Sequence, residues 1–184
     1  PDRDASRTPM QWTPGANAGF STAEAGQLYL PLVTSPGFTH DTVNVETMQA
    51  DRGSLLHWVR HALAVRKAHP VFGVGDFTVA AADHPAVLAY LRSVPTAPAV
   101  PTAPTAPRVP AGARSVLCVA NLGEDTVTVT AELGAALAGA ALTGLLGDPA
   151  SAMLGDPAVD ASGRVRLRLR PRGYLWLHVE PTHG

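Results

Sequence analysis

The spacing of apolar residues changes once along this chain, from a helical period before residue 70 to a strand period after residue 76. Before the change, apolar residues recur at three- and four-residue spacing, which is the mark of one amphipathic helix. After it, short runs alternate apolar and polar residues and are separated by turn residues. The pattern is typical of antiparallel strands buried on one face, so we expect a mostly β protein.

The helix is predicted over residues 54–69. Asp51 or Ser54 can accept its first free N–H groups, and Pro70 ends it. Its apolar face consists of Leu55, Leu56, Val59, Ala62 and Leu63.

An antiparallel β-sandwich is predicted for the carboxyl-terminal domain, residues 76–184. Its clearest strand patterns cover residues 76–81, 86–94, 115–122, 126–133 and 164–180. In the last of these, four arginines alternate with apolar residues, which we interpret as the solvated face of a half-buried strand rather than a polyanion-binding stripe. The Pro/Ala/Thr-rich run at 95–112 is expected to be a disordered insert in a hairpin loop.

Two shorter segments are less regular. Residues 27–33 form at most an edge strand, because Pro31 interrupts them. Residues 133–150 contain several glycines, which disfavour a long helix and favour a short strand with turns or one helical turn.

Composition excludes several classes of protein. The net charge of −1 gives no electrostatic reason to bind nucleic acid or an anionic membrane. No run of about 18 apolar residues predicts a membrane span. A single cysteine and the lack of an apolar signal core suit a reducing compartment, so we expect a cytoplasmic protein.

No group on this chain is predicted to be catalytic. The carboxylates after the opening stretch are scattered and form no acid/base pair. Cys118 lies in an apolar strand pattern and is interpreted as a core residue. His57 and His61 are one helical turn apart but have no evident third ligand, so no metal site is predicted.

The opening stretch, residues 1–27, is different: it is polar, aromatic and irregular. Arg3 and Arg7 bracket Asp4, and guanidinium and carboxylate groups in this combination suit a hydroxyl-rich ligand. Trp12 and Phe20 offer apolar faces on which a sugar ring could stack. The residues alone also allow a structural ion-pair network with Trp12 in the core.

Four motifs in fixed order resemble glycoside hydrolase family 13, the α-amylase superfamily, and within it the trehalose synthases. They are DRDASRTPMQWTPGANAGFS at 2–21, LYLPLV, VNVE and SLLHWVRHALAVRKAHPVFGVGDF. The resemblance implies that residues 1–75 are the end of a (β/α)₈ barrel, with residues 1–27 as the loop after strand eight and 54–69 as helix eight. A complete barrel takes about 250 residues, so the chain is expected to be the carboxyl-terminal part of an enzyme whose catalytic carboxylates lie in earlier segments.

By the same resemblance, Arg3 contacts the glucosyl ring and Arg7 lies near the pocket floor or on the +1 side, while Asp4, Gln11, Trp12 and Asn17 hold the loop. The implied reaction converts maltose to trehalose, and glucose is released and recaptured on the way. The implied structural partner is the missing barrel segment of the same enzyme. An oligo-1,6- or α-glucosidase of the same branch, and a non-catalytic β-domain with a structural or carbohydrate-binding role, remain the alternatives. No cofactor is expected on this chain; a calcium site in the missing part is left open.

Overall fold

The computed structural model describes residues 7–94, 115–148 and 150–180. The chain forms two compact units, Pro1–Leu63 and Ala64–Gly184, and the division falls within a helix. The predicted domain boundary after residue 75 rests on the family resemblance and stays a prediction. The predicted insert at 95–112 lies outside the described residues.

The first unit is mainly loop, followed by helix. Its helices are α1, Val45–Ala50, and the first part of α2, Leu55–Ala68. Helix α2 therefore confirms the predicted segment 54–69 to within one residue at each end, and a short helix, α3, Val71–Val74, follows it. Residues 27–33 contain no strand, which agrees with the expectation of at most an edge strand there. Pro31 supplies no N–H for a ladder.

The second unit contains nine strands in its described residues, arranged in two antiparallel sheets. The five-stranded sheet has the order β1-β3-β4-β9-β6, and the four-stranded sheet has the order β2-β5-β8-β7. The strands are β1 Asp76–Val79, β2 Ala81–Ala82, β3 Val87–Ser93, β4 Ser115–Asn121, β5 Val127–Glu132, β6 Ala141–Gly147, β7 Ala152–Met153, β8 Arg164–Leu169 and β9 Tyr174–Glu180.

One apolar core joins the two sheets, which confirms the predicted sandwich. The five-stranded sheet contributes Leu117 and Leu177, and the four-stranded sheet contributes Val129 and Leu167, none more than 1% exposed. Along β8, buried Val165, Leu167 and Leu169 alternate with exposed arginines. The arginine row is therefore a solvated sheet face, as the two-residue period predicts.

Strands that looked continuous in the sequence are separate elements in the structure. The run 164–180 divides into β8 and β9, which lie in different sheets, and Arg172 at the intervening turn has a φ of 57°. The run 76–81 likewise divides between β1 and β2. In contrast, β3 and β4 pair antiparallel over their full length, from Val87 opposite Asn121 to Ser93 opposite Ser115.

Candidate functional site

The loop that carries the predicted sugar-binding residues is tied by its main chain to the start of α1. The Val45 N–H donates to the Gln11 carbonyl at 3.0 Å, and the Glu46 N–H donates to the Trp12 carbonyl at 2.9 Å. Because these N–H groups belong to the first turn of a helix, they have no partner within the helix. The loop therefore satisfies donors that would otherwise face solvent, and its path beside α1 is fixed.

Asn44 is the residue just before α1, and its side chain caps the helix and binds the preceding turn. Its Oδ1 accepts from the Thr47 N–H at 2.8 Å, and its Nδ2 donates to the His40 carbonyl at 2.8 Å. The side chain is 2% exposed. An asparagine at this position is a strong helix-start residue, so the sequence contained the signal for α1, which our sequence reasoning did not use.

The Gln11 side chain crosses the loop. Its Nε2 donates to the Val43 carbonyl at 2.5 Å and to the Phe38 carbonyl at 3.2 Å. These two acceptors fix which end of the amide is nitrogen. Its Oε1 is buried and has no hydrogen-bond partner among the described residues, and an unmet buried acceptor costs about 1–3 kcal/mol.

Asn17 forms a tight left-handed turn in the middle of the loop. Asn17, Ala18 and Gly19 have φ values of 49°, 57° and 66° in succession. The Asn17 amide donates to the carbonyls of Ala23 at 2.6 Å and Ser21 at 3.2 Å, which offsets part of the backbone strain. Ala18 is fully buried under this turn.

The loop and the segment that follows it leave large apolar side chains in solvent. Trp12 is 48% exposed, Phe20 52%, Phe38 65% and Tyr29 88%. Within the described residues, the Trp12 side chain is therefore about half exposed and does not pack in a core. Exposed aromatic rings of this kind can offer a face to a sugar ring.

Helix α2 has an uncovered apolar face between Leu55 and Leu63. Leu55 is 64% exposed and Leu63 57%, and no residue of the helix is buried. Helices of globular proteins normally bury such a stripe. An apolar helix face left in solvent marks a contact site in many proteins.

The predicted site residues fall into two groups. Arg3 and Asp4 lie outside the described residues. Arg7, Gln11, Trp12 and Asn17 all lie in the first unit, and Arg7 is exposed. The last three hold the loop in the ways described above, while their relation to a substrate stays a prediction.

Other chemistry-bearing residues do not assemble into a reactive centre. His57 is half-buried, and its Nε2 lies 3.0 Å from the Gln49 carbonyl oxygen. Cys118 is 2% exposed, and burial raises the pKa of its thiol to about 11, as expected for an inert core cysteine. In the described parts of the chain, no three His, Cys, Asp or Glu side chains cluster as metal ligands would. None of the helices described has the length and hydropathy of a membrane span.

Comparison with known proteins finds one matching family and several similar relatives. Residues 1–75 match the family Alpha amylase, catalytic domain. Trehalose synthase/amylase TreS from Mycobacterium tuberculosis is 52% identical over 93 residues, which are 50% of this chain. Trehalose synthase from Thermus thermophilus is 33% identical over 184 residues, the whole of this chain. The chain spans 16% of the length of each of these relatives.

The fold also matches solved structures. A mutant of isomaltulose synthase from Erwinia rhapontici NX5, solved in complex with its natural substrate sucrose, aligns with a TM-score of 0.66. The identity is 21%, and the alignment covers 97% of this chain and 26% of that one. At this identity the match supports the architecture alone.

Proposed function

We propose, from the premise that residues 1–75 of this chain belong to the alpha-amylase family, that the chain is the carboxyl-terminal part of an enzyme that converts maltose to trehalose. The observation that carries this proposal is the 52% identity over 93 residues to a mycobacterial trehalose synthase. In this proposal the chain supplies substrate contacts and a β-domain, and other segments supply the catalytic carboxylates.

The uncovered surfaces of the first unit support a missing structural neighbour. The apolar face of α2 and the buried, partnerless Gln11 Oε1 both need groups that the described residues do not provide. In the proposed enzyme the rest of the barrel packs on Leu55 and Leu63 and donates a hydrogen bond to Gln11. The chain alone is then expected to be inactive.

The proposed reaction is an intramolecular glucosyl transfer with retention. A carboxylate outside this chain attacks the anomeric carbon of maltose and forms a glucosyl-enzyme, and glucose leaves after protonation by a second carboxyl group. The glucose turns within the pocket, and its anomeric hydroxyl attacks the same carbon to give trehalose. This step breaks the bond to the first carboxylate, and the second carboxylate takes the proton of the attacking hydroxyl. Water would instead give hydrolysis, so the site has to exclude it.

The role proposed for Arg3 and Arg7 is to hold the glucosyl ring during both steps. A guanidinium presents several N–H donors in one plane, so it can engage neighbouring hydroxyl groups. Hydrogen bonds that shorten as the ring flattens stabilise the transition state more than the bound sugar. Gln11, Trp12 and Asn17 keep the loop backbone in place, and Asp4 is proposed to act with them.

The product formed from maltose tests this proposal. The longest gene product that contains this sequence is incubated with maltose, and trehalose and glucose are quantified over time. Trehalose as the main early product supports the proposal. Glucose as the main product, with little trehalose, refutes it and indicates an α-glucosidase instead.

A further inference from the structure

A cleft in the second unit lies on the outer face of the four-stranded sheet. Its volume is about 400 Å³, within the range of about 300–1,000 Å³ for small-molecule sites. The lining residues are Ala81, Ala82, Asp83, Thr130, Glu132 and Arg164. They come from β2, the turn after it, β5 and β8, so three neighbouring strands hold the cleft in shape.

Strand register explains why these side chains converge. Ala81 of β2 pairs with Glu132 of β5, and Glu132 pairs with Arg164 of β8. Partners directly across a sheet project to the same face. The small side chain at position 81 leaves open the space that Glu132 and Arg164 border.

The polar groups of the cleft are held in place by bonds within the protein. The Thr130 N–H donates to Asp83 Oδ1 at 2.7 Å, and this bond is the main cause that lowers the pKa of Asp83 below its ordinary value. Arg164 Nη2 donates to Glu132 Oε1 at 2.9 Å. A carboxylate can accept about four hydrogen bonds and a guanidinium can donate five, so both pairs keep capacity for a ligand.

The charge balance indicates which ligand suits the cleft. Two carboxylates and one guanidinium give a net negative site that disfavours anions. A neutral molecule with adjacent hydroxyl groups can donate to the carboxylates and accept from the guanidinium at once. We propose that this cleft is a carbohydrate-binding site for a neutral pyranoside, separate from the loop that carries Arg7.

A titration of the 184-residue chain with maltose tests the proposal. Amide chemical shifts are followed by NMR, and we expect the largest changes at Ala82, Thr130 and Glu132. Arg164→Leu removes the donor and Ala81→Phe fills the cleft without removing a polar group. Arg164→Leu is expected to weaken binding by about tenfold, the effect of losing one hydrogen bond to a charged group. Ala81→Phe is expected to weaken it at least as much, because its ring occupies the space that the ligand needs.

Arg172 provides a matched control. It forms an ion pair of 3.0 Å with Glu124, also between exposed side chains of the second unit, but it does not line the cleft. Arg172→Leu is expected to leave the affinity unchanged, and thermal melting verifies that each variant is folded. Equal weakening by Arg172→Leu, or no change at the cleft amides, would overturn the inference. Shifts confined to residues near Arg7 would also overturn it while leaving the proposed function intact.

Discussion

Replacing Asn121 with alanine should strongly destabilise the β-sandwich. Asn121 ends β4, is 1% exposed, and makes three hydrogen bonds through its side chain. Its Nδ2 donates to the carbonyls of Asp125 at 2.7 Å and Arg170 at 2.8 Å, and its Oδ1 accepts from the Gly123 N–H at 3.0 Å. The side chain thus connects the β4–β5 turn with the turn that follows β8.

The expected loss follows from those bonds. Each contributes about 1 kcal/mol net, so Asn121→Ala should lower the free energy of unfolding by about 3 kcal/mol. This corresponds to roughly a hundredfold increase in the fraction of open molecules. Asn121→Asp keeps the shape but loses both donated bonds and places a charge beside two carbonyls, so it should be at least as destabilising.

Cys118 gives a direct assay because it is the single cysteine of the chain and lies on the same strand. Its thiol is buried, and its raised pKa further suppresses reaction in the folded state. Labelling by a thiol reagent therefore reports opening of β4. Thr128→Ala, on the exposed face of β5, serves as the control. A labelling rate for Asn121→Ala within about threefold of the control would correspond to a loss under 1 kcal/mol and refute the reasoning.

Two further predictions concern the same unit. Burial raises the pKa of Asp148, but hydrogen bonds from the Ala150 N–H, Arg170 and Ser151 outweigh it and leave that pKa below its ordinary value. The ionised Asp148 therefore stabilises the folded state above the unfolded-state pKa of about 4, and this contribution is lost as the pH falls through the lower pKa of the folded state. Urea midpoints measured against pH should fall in acid. Asp148→Asn should flatten that decline. A Cβ at Gly163, where φ is +78°, would lie 2.4 Å from the Gly134 backbone, whereas one at Gly134, with φ +91°, meets open space. Gly134→Ala should cost about 1–2 kcal/mol from strain alone and Gly163→Ala at least about 1 kcal/mol more; equal urea midpoints would contradict this.

The sequence predicted those elements whose apolar period is strong. Helix α2 and the alternating strands are examples, because the 3.6- and two-residue periods decide which face is buried. The period could not locate the change of sheet at Arg172 or between β1 and β2, since a strand keeps its alternation when it passes from one sheet to another. That change depends on pairing partners distant in sequence.

The site was predictable only in part. The resemblance pointed to Arg3, Arg7 and the loop. The anchoring of the loop, however, depends on hydrogen bonds from Val45 and Glu46 to loop carbonyls more than 30 residues earlier in the chain. The cleft beside Arg164 was not predicted, because it forms from three strands and no single segment carries its signal.

The catalytic efficiency of arginine variants tests the central claim, that the loop arginines hold the glucosyl ring. In the longest gene product containing this sequence, Arg3→Ala and Arg7→Ala should each lower kcat/KM for maltose by at least about tenfold, the loss of one charged hydrogen bond. Arg52→Ala, in the turn before α2, should leave it unchanged, and all three proteins should melt as the unaltered enzyme does. An unchanged kcat/KM in both loop variants would contradict the account.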